Sequence, residues 1–142
     1  DGTHDPKYIK KILSKIKKFD LITTSRFKSK KSLKNWPLLR IVLTNIRHLL
    51  IKFFLGMPFD ASGAYRCYNL KKIKYKDILL AKDNGYSFFW ESIFILHKKN
   101  YSIYEVPIEL PYRKIGSSKM RFKDILFAII YLINISSNRS KY

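Results

Sequence analysis

Residues 19–26 read Phe-Asp-Leu-Ile-Thr-Thr-Ser-Arg (FDLITTSR). This segment predicts a short strand over 19–25 that runs straight into Arg26. Upstream, Asp5-Pro6 is a helix start, with Asp as N-cap and Pro at the first helical position. Ile9, Ile12, Leu13 and Ile16 then recur at helical spacing, with lysines on the other face. Downstream, 27–36 is a polar Lys/Ser-rich loop. A long apolar helix follows from Pro37 to about Leu55, with Arg40, Thr44, His48 and Lys52 on one stripe and Gly56 as its stop. Further on come a loop over 57–63, an extended piece around 65–68, a Lys-rich helix over 69–84 and an apolar helix over 88–98. YSIYEVPI (101–108) alternates like a strand and stops near Pro107; a polar loop (111–119) leads to a last helix over 122–135. Alternating helices and strands predict an α/β layer architecture, with too few strands for a full sheet, so the expectation is part of a larger domain.

The 142 residues are 46% hydrophobic and 15% aromatic, which excludes a disordered chain. The sequence opens at Asp1, inside what reads as a ligand-binding turn, so missing upstream sequence is expected. Lys and Arg number 29 against 10 acids, a net charge of +19. Nucleic acid, anionic lipid and a phosphorylated substrate are all compatible with that charge. The lysine clusters (Lys10–Lys11, Lys17–Lys18, Lys28 to Lys31, Lys71 to Lys76) each read as solvated surface when taken alone. Cys67 is the single cysteine, which excludes an internal disulfide framework and fits a reducing compartment. No signal peptide is visible.

Several residues have the right chemistry for a site. Arg26 follows a strand directly, where ligands of α/β sheets gather, and guanidinium matches phosphate in a fork. In FDASGAYR (59–66), Gly63 admits unusual backbone angles and Asp60 and Ser62 are typical loop hydrogen-bonders. Asp60 and Arg66 read equally as polar anchors for a ligand or as a pair bracing a turn. Glu91 is the one acid in an aromatic-rich helix start, and buried acids are usually paired or functional. Arg113, Ser117, Ser118 and Lys119 put two cations and two hydroxyls on one Gly-containing loop, a phosphate clamp in chemical terms. The nine-residue apolar run 125–133 is too short to cross a bilayer. With Arg121, Lys123, Arg139 and Lys141 around it, the segment fits either a membrane-interface helix or a core helix.

The order DGTHDP, TTSRF, WPLLR, FDASGAYRCY, GYSFFWE, EVPIELPYRKIGSSKM resembles the polyprenol-phosphate (dolichol-phosphate-like) mannosyltransferases, inverting family 2 enzymes of GT-A fold. The resemblance covers roughly residues 1–121. It implies the C-terminal part of a GT-A catalytic domain over 1–121, without its nucleotide-binding half, and an amphipathic helix and tail over 122–142. It also implies Mg²⁺ or Mn²⁺ at Asp1, with Thr3 as a poorer second oxygen ligand and His4 in a structural hydrogen-bonding role. Arg26, Asp60, Arg66 and Glu91 are implied at the reaction centre, Glu91 orienting a neighbour rather than moving protons. Arg26, Ser62, Arg113, Ser117, Ser118 and Lys119 are implied at substrate phosphates. The implied partners are a nucleotide-sugar (GDP-mannose), a polyprenyl phosphate and the cytoplasmic face of a membrane, with no nucleic acid. Another hexosyl donor, and a non-catalytic basic module binding nucleic acid or anionic membrane, are the competing expectations. The chain alone is expected to be inactive.

Overall fold

The computed structural model describes residues 3–29, 31–112 and 121–142. It shows the mixed α/β architecture. In chain order come α1 (Tyr8–Ile16), β1 (Leu21–Ser25), α2 (Leu38–Leu55), β2 (Arg66–Tyr68), α3 (Tyr75–Ile78), α4 (Phe88–Lys98), β3 (Ile103–Pro107), α5 (Phe122–Ser137) and a 3-10 turn, Arg139–Lys141. The 19–26 segment is the centre of the molecule. The sheet has the order β2-β1-β3, with β1 antiparallel to β2 (Leu21 opposite Tyr68) and parallel to β3 (Leu21 opposite Ile103, Ser25 opposite Pro107).

Every β1 residue is buried, as expected of a strand covered on both faces. The two-residue period sends neighbouring side chains to opposite sides. Leu21 joins the larger core, with Trp90, Ile93 and Phe94 of α4, Ile51 and Leu55 of α2, and Leu132 and Ile135 of α5. Ile22 joins a smaller core with Ile12 of α1, Val106 and Ile108. Burying a side chain such as Ile22 contributes about 1.5–3 kcal/mol, so truncating it would loosen α1 from the sheet. α4 is apolar almost all round and is buried from Trp90 to Leu96, the pattern of a central helix.

Helix ends follow local chemistry. Gly56 adopts φ 68° and donates its N–H to the Lys52 carbonyl at 2.9 Å, closing α2 as its position predicted. Asp5 accepts the Lys7 N–H at 2.9 Å one turn ahead of α1, which begins at Tyr8 rather than at Pro6. The helix predicted over 69–84 is not there; only α3 is helical in that stretch. One acid acts within this stretch and a second caps the helix that follows it. Glu91 takes the Lys82 and Asp83 N–H groups, each at 3.0 Å, and Asp83 takes those of Ser87 (2.7 Å) and Phe88 (3.2 Å). N–H groups held by side chains cannot close helical turns.

α2 and α5 pack against each other and bury little of their apolar surface. Leu38, Leu39, Val42, Leu43, Ile46, Leu49 and Phe53 of α2 are exposed, Phe53 by 81%, while Thr44 is buried. On α5, Phe122, Leu126, Phe127, Ile129, Ile130 and Ile133 are exposed, and Leu132 and Ile135 anchor the helix in the core. No described helix is long and apolar enough to cross a membrane.

Candidate active site

The carboxyl ends of the parallel strands β1 and β3 lie side by side, so the segments that follow them meet. Ile108 N–H reaches the Ser25 carbonyl at 3.1 Å and Leu110 N–H the Ser32 carbonyl at 3.1 Å. Ser32 Oγ donates to the Ile108 carbonyl, and Trp36 Nε1 donates to the Leu110 carbonyl at 2.9 Å. Between these segments, α2 and the 60–64 turn lies a cavity of about 230 Å³. Its wall includes Thr3, Arg26, Arg40, Arg47, Ser62 and Tyr112.

Arg26 turns from the strand end onto Asp60. Asp60 Oδ2 accepts the Arg26 backbone N–H (3.0 Å) and Nε (2.9 Å), Oδ1 accepts Nη2 (2.7 Å), and Ser62 Oγ accepts a further bond from Nη2. The pair is 9% and 1% exposed. Burial alone would raise the Asp60 carboxyl, but the hydrogen bonds and charge of Arg26 outweigh it and hold the pKa below its ordinary value. Glu105, itself buried, accepts the Asp60 N–H at 2.6 Å and pairs with Lys28 at 2.9 Å. Every charge in this cluster has an opposite partner. Asp60 is therefore braced by Arg26, and the pairing with Arg66 considered from the sequence does not form.

Arg66 points into the scaffold. Its guanidinium donates to the Ala61 carbonyl (2.8 Å), the Phe89 carbonyl (2.5 Å), Ser92 Oγ (3.1 Å) and Tyr68 Oη (3.3 Å), tying β2 to the start of α4. Glu91 is fully buried and accepts Tyr131 Oη (2.9 Å) and Tyr142 Oη (3.3 Å) besides the Lys82 and Asp83 N–H groups. Burial, then Glu91, pushes both tyrosine hydroxyls upward in pKa. Glu91 thus orients α5 against α4. Gly63 has no left-handed φ; a Cβ there would meet the Thr24 carbonyl at 3.7 Å, an ordinary contact. Thr3 is on the cavity wall. Asp1, Arg113, Ser117, Ser118 and Lys119 lie outside the described residues.

Two cavity arginines were not taken as site residues from the sequence, although Arg40 stood in the polar stripe read there. Arg40 packs against a pair of rings that meet edge to face, its guanidinium carbon 4.7 Å from the Trp36 centroid and 5.3 Å from that of Tyr112. The two cation–π contacts hold the guanidinium at the cavity wall. Arg47 is half-buried, with its Nε shielded from solvent and unpartnered. Burial, with Arg26 and Arg40 nearby, lowers its pKa to about 10, so it stays charged at neutral pH. Arg40 and Arg47 stand two helical turns apart, which puts both on one face of α2. The signal that could have found them was an interrupted polar stripe in an apolar helix. Glu105 could have been found as the acid inside an alternating strand. Among the described residues, no group of three or more His, Cys, Asp or Glu side chains could hold a metal ion.

What remains is an arginine-rich hollow at strand ends, suited to a phosphorylated ligand. A polyprenol monophosphomannose synthase of Mycolicibacterium smegmatis is 29% identical over 127 residues, covering 88% of this chain and 48% of that protein. An undecaprenyl-phosphate mannosyltransferase of Micrococcus luteus is 29% identical over 121 residues, covering 84% of this chain and 50% of that protein. The chain is similar to part of each of these two mannosyltransferases. It spans about half the length of these mannosyltransferase relatives. No family model matches the chain, and no solved structure does.

Proposed function

We propose that the chain forms the C-terminal part of a GT-A glycosyltransferase that moves mannose from GDP-mannose to a polyprenyl phosphate with inversion, at the cytoplasmic face of a membrane. The observation that carries this reading is the cavity beside the β1 and β3 ends, where Arg40 and Arg47 have no acidic partner among the described residues. The likeness to two mannosyltransferases supplies the substrate class.

The proposed chemistry asks for positioning and charge management. A phosphate monoester has a second pKa of about 6, so its attacking oxygen is already deprotonated at pH 7. No general base is needed, and the buried carboxylates nearest the cavity fit that: Asp60 is occupied by Arg26, and Glu105 by the Asp60 N–H and Lys28. Arg40 and Arg47 hold the acceptor phosphate, and the hollow aligns its oxygen for in-line displacement. Arg113 and Lys119 belong to the same proposal as further phosphate ligands, with Ser117 and Ser118 beside them. Asp1 and Thr3 would hold the divalent ion, Mg²⁺ or Mn²⁺, whose charge neutralises a leaving nucleoside diphosphate.

The outward apolar faces of α2 and α5, with Lys52 and Lys123 on the same helices and Arg121 just ahead of α5, suit a pair of helices lying in the headgroup layer. A lipid phosphate in that layer would then be near the cavity that α2 itself lines. The test is label transfer by the whole protein from GDP-mannose to a short-chain polyprenyl phosphate. A phosphate-dependent mannolipid is expected. Transfer from another nucleotide-sugar only would change the donor, and no lipid product from any donor would overturn the proposal.

A further inference from the structure

Charge balance in the cavity allows a sharper statement about its ligand, resting on the function proposed above. Asp60 neutralises Arg26 and Glu105 neutralises Lys28 through close ion pairs. His4 and His48, both near Arg26, have pKa values lowered chiefly by burial, so neither adds a full charge at neutral pH. Of the cations described around the cavity, Arg40 and Arg47 are left over. Neither has an ion-pair partner among the described residues, and both line the same hollow. Arg40 is held by two aromatic rings. Arg47 has no such support, and its shielded Nε donates to nothing. A half-buried guanidinium without a counter-charge is costly in the free protein, and an anion in the cavity it lines would offset that cost.

We propose that Arg47 is the residue that makes this cavity select a dianionic phosphate monoester over a monoanionic phosphodiester. Two uncompensated guanidiniums match a ligand of two negative charges. A diester leaves one of them unpaired, and the inner one, Arg47, is the less able to turn to water. Arg40 alone satisfies a monoanion equally in either ligand. The cavity therefore reads the second charge of a terminal phosphate through Arg47, which separates a lipid monophosphate from the phosphodiester product and from diester phospholipids around it.

The experiment measures binding of geranyl phosphate and of its methyl ester to the full chain by titration calorimetry at pH 7.5, where the monoester is dianionic. The monoester is expected to bind roughly ten- to a hundredfold more tightly, the range of one charge-assisted contact. Arg47→Gln should bring the two ligands to within about threefold of each other, chiefly by weakening the monoester. Arg47→Lys, which keeps the charge, should keep part of the preference. Melting of ligand-free Arg47→Gln should occur at or above the wild-type temperature, a result a merely structural arginine would not give. A preference unchanged in Arg47→Gln overturns the inference, and so does a variant that melts lower or fails to fold. Absence of binding by the wild type to either ligand instead counts against the proposed function.

Discussion

Replacing Asp60 by Ala should be the most damaging single change near the cavity. It removes the acceptor for three Arg26 bonds, at 3.0, 2.9 and 2.7 Å, and leaves a guanidinium only 9% exposed without its counter-charge. Breaking one side of a buried pair costs about 3–5 kcal/mol. A whole domain is stable by only about 5–15 kcal/mol, so the variant should be marginal at 25 °C. Arg26→Met combined with Asp60→Val removes both charges and should recover most of the loss. About 1–3 kcal/mol should persist, because the Arg26 backbone N–H still loses its acceptor. Urea unfolding followed by tryptophan fluorescence measures all variants. The sign of the pH dependence is fixed by the lowered Asp60 pKa. The pair's contribution is complete above the ordinary carboxylate value of 3.8 and fades as pH falls below it toward the depressed folded value. A loss under about 1 kcal/mol for Asp60→Ala, or a double variant worse than the single, would refute the reasoning that this pair is a buried, mutually dependent unit.

Glu91→Ala orphans two backbone N–H groups and two tyrosine hydroxyls, so it should cost about 3 kcal/mol or more; Tyr131→Phe should cost about 1 kcal/mol, both read by urea unfolding. Leu49→Asp with Phe53→Asp, at positions 61% and 81% exposed, should leave stability within about 1 kcal/mol yet weaken sedimentation with anionic liposomes. A loss of folding there would make the outer face of α2 a protein contact. Arg40→Ala should lower transfer efficiency roughly ten- to a hundredfold, mainly through KM for the lipid phosphate. Trp36→Leu should give a smaller loss of the same kind, and Trp36→Phe should be close to wild type. Asp1→Ala should abolish transfer and Mn²⁺ binding in the whole protein without lowering its melting temperature; normal turnover at saturating metal would remove Asp1 from the ion site.

The elements with a strong period were legible because burial follows the period. Strand 19–25, the helix closed by Gly56 and the apolar helix over 88–98 all form within two residues of their expected bounds. The 69–84 stretch was not legible, because Tyr101 takes the Lys74 N–H and Glu91 takes those of Lys82 and Asp83 from further along the chain. Periodicity carries no trace of such a contact. The site was legible in part. Arg26, Ser62 and Thr3 do line one cavity, but proximity to a strand end could not show that Arg26 is taken by Asp60. That pairing spans 34 residues of chain and moves the free positive charge from Arg26 to α2.

α2 shows how one pattern can serve two surroundings. Its period was plain in the sequence, but a period fixes only that two faces differ, not which one turns inward. In an ordinary surface helix the apolar stripe would be buried and Arg40, Thr44, Arg47 and His48 would face water. Here Thr44 is buried and Arg40 and Arg47 line the cavity, while Leu38, Leu49 and Phe53 are more than half exposed. Leaving those apolar groups in water forgoes about 1.5–3 kcal/mol for each large side chain that could be buried. Scattered exposed leucines need no explanation, but a continuous stripe joined to another on α5 does. Insertion into a headgroup layer would recover that energy and orient the helix, with its arginines turned toward the cavity and its leucines toward lipid. An acceptor whose phosphate sits at the lipid surface would then need to rise only across the width of one helix to reach Arg40 and Arg47. On this reading, the liposome and lipid-phosphate experiments on α2 probe opposite faces of one device: aspartates on its outer face should reduce membrane partitioning without changing the affinity for a water-soluble short-chain phosphate, and Arg47→Gln should do the reverse.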